Sequence, residues 1–158
     1  MRAWYLDNPS EPVATERLTA EGILHWALPT TEAEWEAPLQ AIRAARGYVQ
    51  MDQVHLGPST PNLDGLCQKF WEEHLHTDEE IRFVVAGAGV FDLRDDGDRW
   101  LRVHVEAGDL IVVPKDKYHR FALDEAGTIT CKRLFKDMGG WTPVPRAAPV
   151  PPVAPAAT

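Results

Sequence analysis

Short segments of alternating polarity between residues 74 and 135 constrain the fold of this chain more than any other feature. They lie at residues 81–86, 90–94, 100–105, 109–113, 119–123 and 128–135. Glycine and acidic residues separate several of them, as in Gly87-Ala-Gly89, Asp95-Asp-Gly97-Asp and Glu106-Ala-Gly108. Short strands with turn residues at regular spacing are typical of an antiparallel barrel or jelly roll. The sequence therefore predicts a mainly β fold, with the barrel mainly at residues 74–136.

The part of the chain before the barrel is predicted to form helices and connectors. Thr31-Glu-Ala-Glu34 has the spacing of a capping box. Pro38 suits the first turn of a helix and Gly47 its end, so we place a helix at residues 38–46. A second helix is predicted at residues 63–71, where apolar side chains recur at helical spacing after an asparagine cap.

Length and composition indicate one domain with a distinct C-terminal tail. A chain of 158 residues has the length of a single domain, which we place at residues 1–143. From residue 144 the sequence becomes rich in proline and alanine, V-P-R-A-A-P-V-P-P-V-A-P-A-A-T. Because this composition cannot build a core, residues 144–158 are expected to form an extended or flexible tail.

Charge and cysteine content exclude several classes of protein. The formal net charge of −8 argues against nucleic acid or an anionic membrane as a partner. No apolar run has the length needed to span a bilayer. Cys67 and Cys131 stand far apart, with no C-x-x-C pair. We therefore expect buried thiols, no disulfide framework and a cytoplasmic protein.

The run E-H-L-H-T-D-E-E-I-R contains candidate metal ligands. His74 and His76 lie one residue apart, so both would point to the same face of a strand. The same alternation favours Glu80 on the histidine face and places Glu79 on the opposite face. A fourth donor, His119, follows the segment G-D-L-I-V-V-P further along the chain.

Three imidazoles and one carboxylate suit Fe(II), Ni(II), Mn(II) or Zn(II) better than Ca²⁺ or Mg²⁺. On an octahedral ion they would leave two positions open for a chelating substrate, whereas tetrahedral zinc would be fully ligated and structural. The number of ligands leaves both interpretations open. His25 and His55 lie in predicted connectors without nearby carboxylates, and His104 is expected to face solvent, so none of the three is assigned to the metal.

Two arginines are predicted to face the interior of the barrel. Arg82 shares the strand face of Glu80, and Arg133 shares a face with Cys131. A guanidinium inside a barrel is costly unless an anion meets it. That anion is either a structural carboxylate, such as Glu79 or an aspartate from a turn, or an anionic substrate bound at the metal. We favour the substrate for both arginines.

Two motifs, His74-x-His76-x3-Glu80-x6-Gly87 and Gly108-x5-Pro114-x4-His119, resemble those of the cupin superfamily. The chain more specifically resembles the acireductone dioxygenase family of the methionine salvage pathway. The similar stretches include A-W-Y-L-D, E-E-H-L-H-T-D-E-E-I-R-F, G-A-G-V-F-D-L-R-D, W-L-R-V, G-D-L-I-V-V-P, Y-H-R-F and R-L-F-x5-W-T. The resemblance extends through Trp141 and implies a cupin-type antiparallel β-barrel with a few peripheral helices.

The resemblance also implies roles for individual residues. One Fe(II) or Ni(II) ion per chain would have four protein ligands, His74, His76, Glu80 and His119. Arg82 and Arg133 would be catalytic residues that stabilise the bound enediolate. Phe70, Phe121 and Trp141 match aromatic positions of the substrate pocket, although core packing explains each of them nearly as well.

The activity implied is the cleavage of an acireductone, 1,2-dihydroxy-3-keto-5-methylthiopentene, by O2. The iron form would give formate and 4-methylthio-2-oxobutanoate, and the nickel form would give CO, formate and 3-methylthiopropanoate. Two alternatives stay open: a non-catalytic cupin that binds a metal or small molecule, and another cupin enzyme such as an isomerase or thiol dioxygenase. We expect a monomer whose partners are the acireductone and O2.

Two positions depart from the general cupin pattern. Asp116 stands where the pattern has glycine, and aspartate tolerates the left-handed backbone conformation better than most residues do. Leu123 stands where an asparagine ends the second motif. Neither position is a predicted ligand.

Overall fold

A computed structural model describes residues 1–137 and 142–147. The strands within these residues are β1 (Arg2–Tyr5), β2 (Asn8–Pro12), β3 (Leu24–Ala27), β4 (Gln50–Leu56), β5 (His74–Leu75), β6 (Glu80–Arg94), β7 (Trp100–Glu106), β8 (Asp109–Val113), β9 (His119–Leu123), β10 (Ile129–Phe135) and β11 (Val144–Pro145). The helices are α1 (Thr15–Ala20), α2 (Glu32–Arg46) and α3 (Leu63–Trp71). No helix of the described part is long and apolar enough to cross a membrane.

The long strand β6 joins two antiparallel sheets. Its first half pairs with β8 and β10, and its second half pairs with β7 and β9. Gly87, with a φ of 75°, lies where the pairing changes. The predicted break at Gly87-Ala-Gly89 is therefore wrong. The strand bends there and continues, because glycine adopts the left-handed conformation without steric cost.

The strand orders are β11-β5-β9-β6-β7-β1-β2 in one sheet and β4-β10-β6-β8-β3 in the other. A single buried cluster draws side chains from both sheets, among them Val84, Leu93, Val103, Ile111 and Cys131. These residues alternate with neighbours that face outwards, as expected for an antiparallel barrel. The predicted mainly β fold is confirmed.

A second apolar layer lies between α2 and the outer face of the sheet that contains β8. Trp35 and Leu39 of α2 pack with Ile81 and Phe83 of β6, and the rings of Trp35 and Phe83 meet edge to face at 5.2 Å. The side chains that flank Glu80 and Arg82 along the strand therefore face this layer. Their burial fixes the register that turns Glu80 and Arg82 towards the interior of the barrel.

Two predictions about the first third of the chain need correction. Besides the helices, it contains the strands β1 to β4, which the sequence did not reveal because they are short or carry exposed polar residues. Helix α2 begins at Glu32 and contains Pro38 in its interior. Thr31 is the cap that precedes the helix, at the position that the capping-box spacing gives it, and its hydroxyl donates to the Glu34 carboxylate. The predicted helix at residues 63–71 is confirmed.

The first residues of the predicted tail lie against the barrel. Val144 and Pro145 form β11, which pairs with β5. The start of the predicted tail is thus extended, where strand pairing holds residues of a proline-rich sequence, and the domain boundary at residue 143 stays a prediction. Residues 148–158 and Trp141 lie outside the described residues.

Candidate metal centre

Three elements of the barrel bring the four predicted ligands together. His74 lies in β5, Glu80 begins β6, and His119 begins β9. His76 lies in the loop between β5 and β6. His74 and His119 are direct partners in the pairing of β5 with β9, which places their rings 4.5 Å apart between centroids.

The donor atoms of the four side chains converge in one place. One ligand atom from each of His74, His76, Glu80 and His119 lies within 4.8 Å of all the others. Oε2 of Glu80 is 2.9 Å from Nε2 of His119 and 3.0 Å from Nε2 of His76. Neighbouring ligands at right angles around one ion, with bonds of about 2.1 Å, are about 3.0 Å apart. These distances fit a common metal ion.

Backbone carbonyls orient two of the imidazole rings for metal binding. Nδ1 of His74 lies 2.6 Å from the carbonyl oxygen of Glu72, and Nδ1 of His119 lies 2.9 Å from that of Lys117. Because a carbonyl only accepts, each Nδ1 carries the proton and each Nε2 offers a lone pair to a metal. Burial lowers the pKa of His74, which favours the neutral ring that a metal requires.

Glu80 is held in its ionised form. Burial on its own would raise the pKa of this carboxyl, but the charge of Arg82, together with the neighbouring rings of His119 and His76, outweighs burial and holds the pKa well below its usual range. Only 6% of Glu80 is exposed. A buried carboxylate beside three imidazoles is the donor set that Fe(II), Ni(II) or Zn(II) accepts.

Glu79, the neighbour of Glu80, faces away from this cluster. Its carboxylate accepts hydrogen bonds from Arg46 at 3.0 Å and from the hydroxyl of Tyr48 at 3.1 Å, and it pairs with Lys136 at 3.2 Å. The strand alternation thus separates the two glutamates as predicted. Glu79 connects α2 and the end of β10 on the outer side of the sheet.

Arg82 and Arg133 lie side by side on paired strands, because the register of β6 with β10 sets one opposite the other. Arg82 pairs with Oε1 of Glu80 at 3.1 Å. Arg133 donates from Nε to Asp52 of β4 at 2.8 Å and forms a second, shorter bond to the same carboxylate. The carboxylate that pairs with Arg133 is therefore Asp52, and not Glu79 or an aspartate from a turn. The sequence did not indicate Asp52 because β4 was not recognised as a strand.

Comparison with known proteins identifies the family. The model of the ARD/ARD′ family matches residues 5–143. The chain belongs to the acireductone dioxygenase family. An acireductone dioxygenase from Dictyostelium discoideum is 40% identical over 146 residues, which cover 92% of this chain and 99% of that protein. One from Rattus norvegicus is 40% identical over 161 residues, which cover 94% and 90%. The resemblance indicated by the motifs is thus confirmed.

A solved structure agrees with this family assignment. It is the acireductone dioxygenase from Bacillus anthracis with a cadmium ion in its active centre, which superposes with a TM-score of 0.78 at 30% identity. The match covers 90% of this chain and 96% of that one. It confirms the cupin-like fold and shows a metal ion in a structure of another member of the acireductone dioxygenase family.

Two of the three aromatic residues that the acireductone dioxygenase resemblance assigned to the pocket can be placed. Phe121 lies two residues after His119 on β9 and therefore points to the same face. Its ring packs against Phe91 at 5.0 Å and edge to face against Phe70 at 6.4 Å. Both Phe70 and Phe121 are partly buried against the barrel core, so they join the core to the region of His119.

The remaining histidines form other contacts, and expectations about all three are wrong. His55 lies in β4 and not in a connector, and its Nδ1 is 2.8 Å from Oγ1 of Thr130. His25 lies in β3, where Nε2 is 2.7 Å from Asp109. His104 is buried, with Nε2 at 3.1 Å from Asp124. His25 has a carboxylate partner because β3 pairs with β8. His104 is buried although it lies on the face of β7 that the sequence predicted to be exposed.

The turn before His119 tolerates its departure from the cupin pattern. Asp116 adopts a φ of 61°, the left-handed conformation for which the pattern has glycine. Its backbone N–H donates to the carbonyl of His76 at 2.8 Å. The same turn supplies the Lys117 carbonyl that orients His119, so one short loop connects two of the predicted ligands.

Proposed function

We propose that this protein cleaves an acireductone with dioxygen at one Fe(II) or Ni(II) ion bound by His74, His76, Glu80 and His119. The observation that carries the proposal is the convergence of the four donor atoms within 4.8 Å, in a chain of the acireductone dioxygenase family. Structural zinc is the less favoured alternative. Cationic side chains adjoin the cluster, and a structural zinc site does not need them.

The bound ion would supply Lewis acidity that stabilises a deprotonated enediol. The protein's own residues prepare the surroundings. The Glu72 and Lys117 carbonyls fix the rings of His74 and His119, so no rearrangement of these two side chains is needed when a metal binds. Burial of His76, Glu80 and His119 keeps water from the inner side of the site, where electrostatic interactions are correspondingly stronger.

Arg82 and Arg133 would provide the positive charge that an enediolate requires. Each guanidinium is already oriented, Arg82 by Glu80 and by the carbonyl of Ile81, and Arg133 by Asp52. Donors fixed in advance stabilise a developing anion without a reorganisation cost. Two such groups side by side suit a dianionic substrate better than a neutral one, which supports the dioxygenase over the alternative cupin enzymes.

The test is anaerobic reconstitution of the metal-free protein with Fe(II) or with Ni(II), followed by acireductone and O2. We expect the iron form to yield formate and 4-methylthio-2-oxobutanoate. The nickel form should yield CO, formate and 3-methylthiopropanoate. Oxygen uptake and product analysis provide the readouts. Metal binding without oxygen uptake in both forms would refute the dioxygenase and favour a non-catalytic metal-binding cupin.

A further inference from the structure

The strand that carries His74 is short and depends on its neighbours. β5 has only two residues, and it pairs on one side with β9 through His74 and His119. On its other side it pairs with β11, where Pro145 lies opposite His74 and Val144 opposite Leu75. Proline has no N–H to donate to a ladder. The attachment of β11 therefore needs contacts beyond strand pairing.

Arg146, directly after β11, provides these contacts. Its backbone N–H donates to the carbonyl of Glu73 at 3.0 Å. Its guanidinium donates to the Glu73 carboxylate at 2.8 Å and to Asp98 at 2.7 and 3.2 Å. The guanidinium also lies 4.9 Å from the centre of the Tyr118 ring. One side chain thus contacts the residue before His74, the turn between β6 and β7, and the residue before His119.

A second arginine makes this junction a network. Arg94 of β6 donates from Nε to the same Glu73 carboxylate at 2.8 Å, and its backbone N–H donates to the carbonyl of Tyr118 at 2.8 Å. An isolated exposed ion pair contributes little to stability. Here, however, two guanidiniums share the Glu73 carboxylate, and their further contacts with Tyr118 bring a fourth segment of the chain into the network. The side chain of Glu73 is only 20% exposed.

His74 is the ligand that this network would affect. His76, Glu80 and His119 are buried, whereas His74 is only partly buried, on the shortest strand pairing in the site. We propose that Arg146 is a positioning residue that holds the His74 strand in place for metal binding. This inference rests on the proposed metal site. It assigns a role to the C-terminal segment, to which the family resemblance assigned none.

The experiment measures Ni(II) affinity by competition with a chelator in the full-length chain. We expect Arg146→Gln to raise the Kd about tenfold, the lower end of the roughly 10–100-fold cost of removing groups that orient metal ligands. Asp98→Asn, which removes one anchor of Arg146, should raise the Kd by a smaller factor. The matched control is Arg99→Gln, because Arg99 also binds an aspartate through two bonds, to Asp7, and stacks on an aromatic ring. It should leave the Kd unchanged.

A double-mutant cycle with His74→Ala distinguishes positioning from a general effect on the fold. If Arg146 acts through His74, Arg146→Gln should not weaken Ni(II) binding further once His74 has been replaced. An unchanged Kd in Arg146→Gln overturns the inference, and so does an equal loss of affinity with and without His74. Ni(II) binding by His119→Ala as tight as by the wild type would instead refute the metal site itself.

Discussion

Adjacent side chains in this protein have unrelated environments because a strand alternates its faces. Glu79 bonds to Arg46 and Tyr48 beside α2, while Glu80 lies against His76 and His119 inside the barrel. The alternation of a strand predicts this separation from the sequence alone. The same alternation places Arg82 beside Glu80. It does not identify the partner of Arg133, which comes from a strand paired with β10.

The two glutamates offer a matched pair of substitutions. Glu80→Gln is expected to lower the Ni(II) content after dialysis against a weak chelator, because it removes the only anionic ligand of the set. Glu79→Gln should retain the wild-type content, since Glu79 faces α2. Elemental analysis of the dialysed proteins gives the readout. Equal metal content in both variants would exclude Glu80 as a ligand.

Arg133 should contribute to substrate binding but not to metal binding. Arg133→Gln is expected to lower kcat/KM for acireductone about 10–100-fold, since a hydrogen bond to a charged group contributes about 1.5–3 kcal/mol. Its metal content should stay that of the wild type. The control is Asp52→Asn, which keeps the guanidinium and removes its carboxylate partner. Because Asp52 orients Arg133, Asp52→Asn should lower kcat/KM by a smaller factor. An unchanged kcat/KM in Arg133→Gln would exclude a direct role for Arg133.

At the scale of elements, β6 organises the site because it belongs to both sheets. The bend at Gly87 lets its first half pair with β8 and β10 and its second half with β7 and β9. Consequently Glu80 and Arg82 lie between β8 and β10, and Leu93 pairs with His119. The sequence marked this position with glycines but favoured a turn, because a local pattern does not distinguish a turn from a bend.

The close packing at Gly87 can be tested by comparison with Gly127, which also has a positive φ but has no close neighbour. A Cβ at Gly87 would overlap the carbonyl oxygen of Thr128, whereas one at Gly127, with a φ of 66°, would meet nothing within 4 Å. Both alanine variants should lose about 1–2 kcal/mol to the left-handed conformation. Gly87→Ala should lose about 1–3 kcal/mol more from overpacking. Urea unfolding measures the free energy of unfolding of each variant. An equal loss of stability in the two variants would contradict a close packing of β6 on residue 128.

At the scale of the whole molecule, the site joins parts of the chain that are distant in sequence. The strands β5, β6 and β9, which carry three of the candidate ligands, meet only when the barrel closes, and the turn at Asp116 connects His76 to the loop before His119. An ion held by all three strands would bind the folded state and not the unfolded chain. Metal binding should therefore stabilise the fold.

Removal of the metal should lower the thermal stability of the wild type. At a free Ni(II) concentration of about 100 times the Kd, binding stabilises the folded state by about 2.7 kcal/mol, which corresponds to roughly 5–10 °C in Tm for a chain of this size. Thermal unfolding monitored by circular dichroism, with and without chelator, gives this difference. In His119→Ala, the Tm measured with Ni(II) should differ little from the Tm measured with chelator. A wild-type Tm independent of Ni(II) would argue against a site formed by folding.

The sequence by itself determined the fold class, the orientation of Glu79 and Glu80 and the four candidate ligands, because strand alternation and turn residues are local properties of the chain. Tertiary structure decided the rest. Asp52 reaches Arg133, Asp109 reaches His25 and Arg146 reaches Glu73 only because strands far apart in sequence lie side by side. The strands β1 to β4 acquire their conformation from pairings of this kind, and their own residues carry too weak a pattern to predict it.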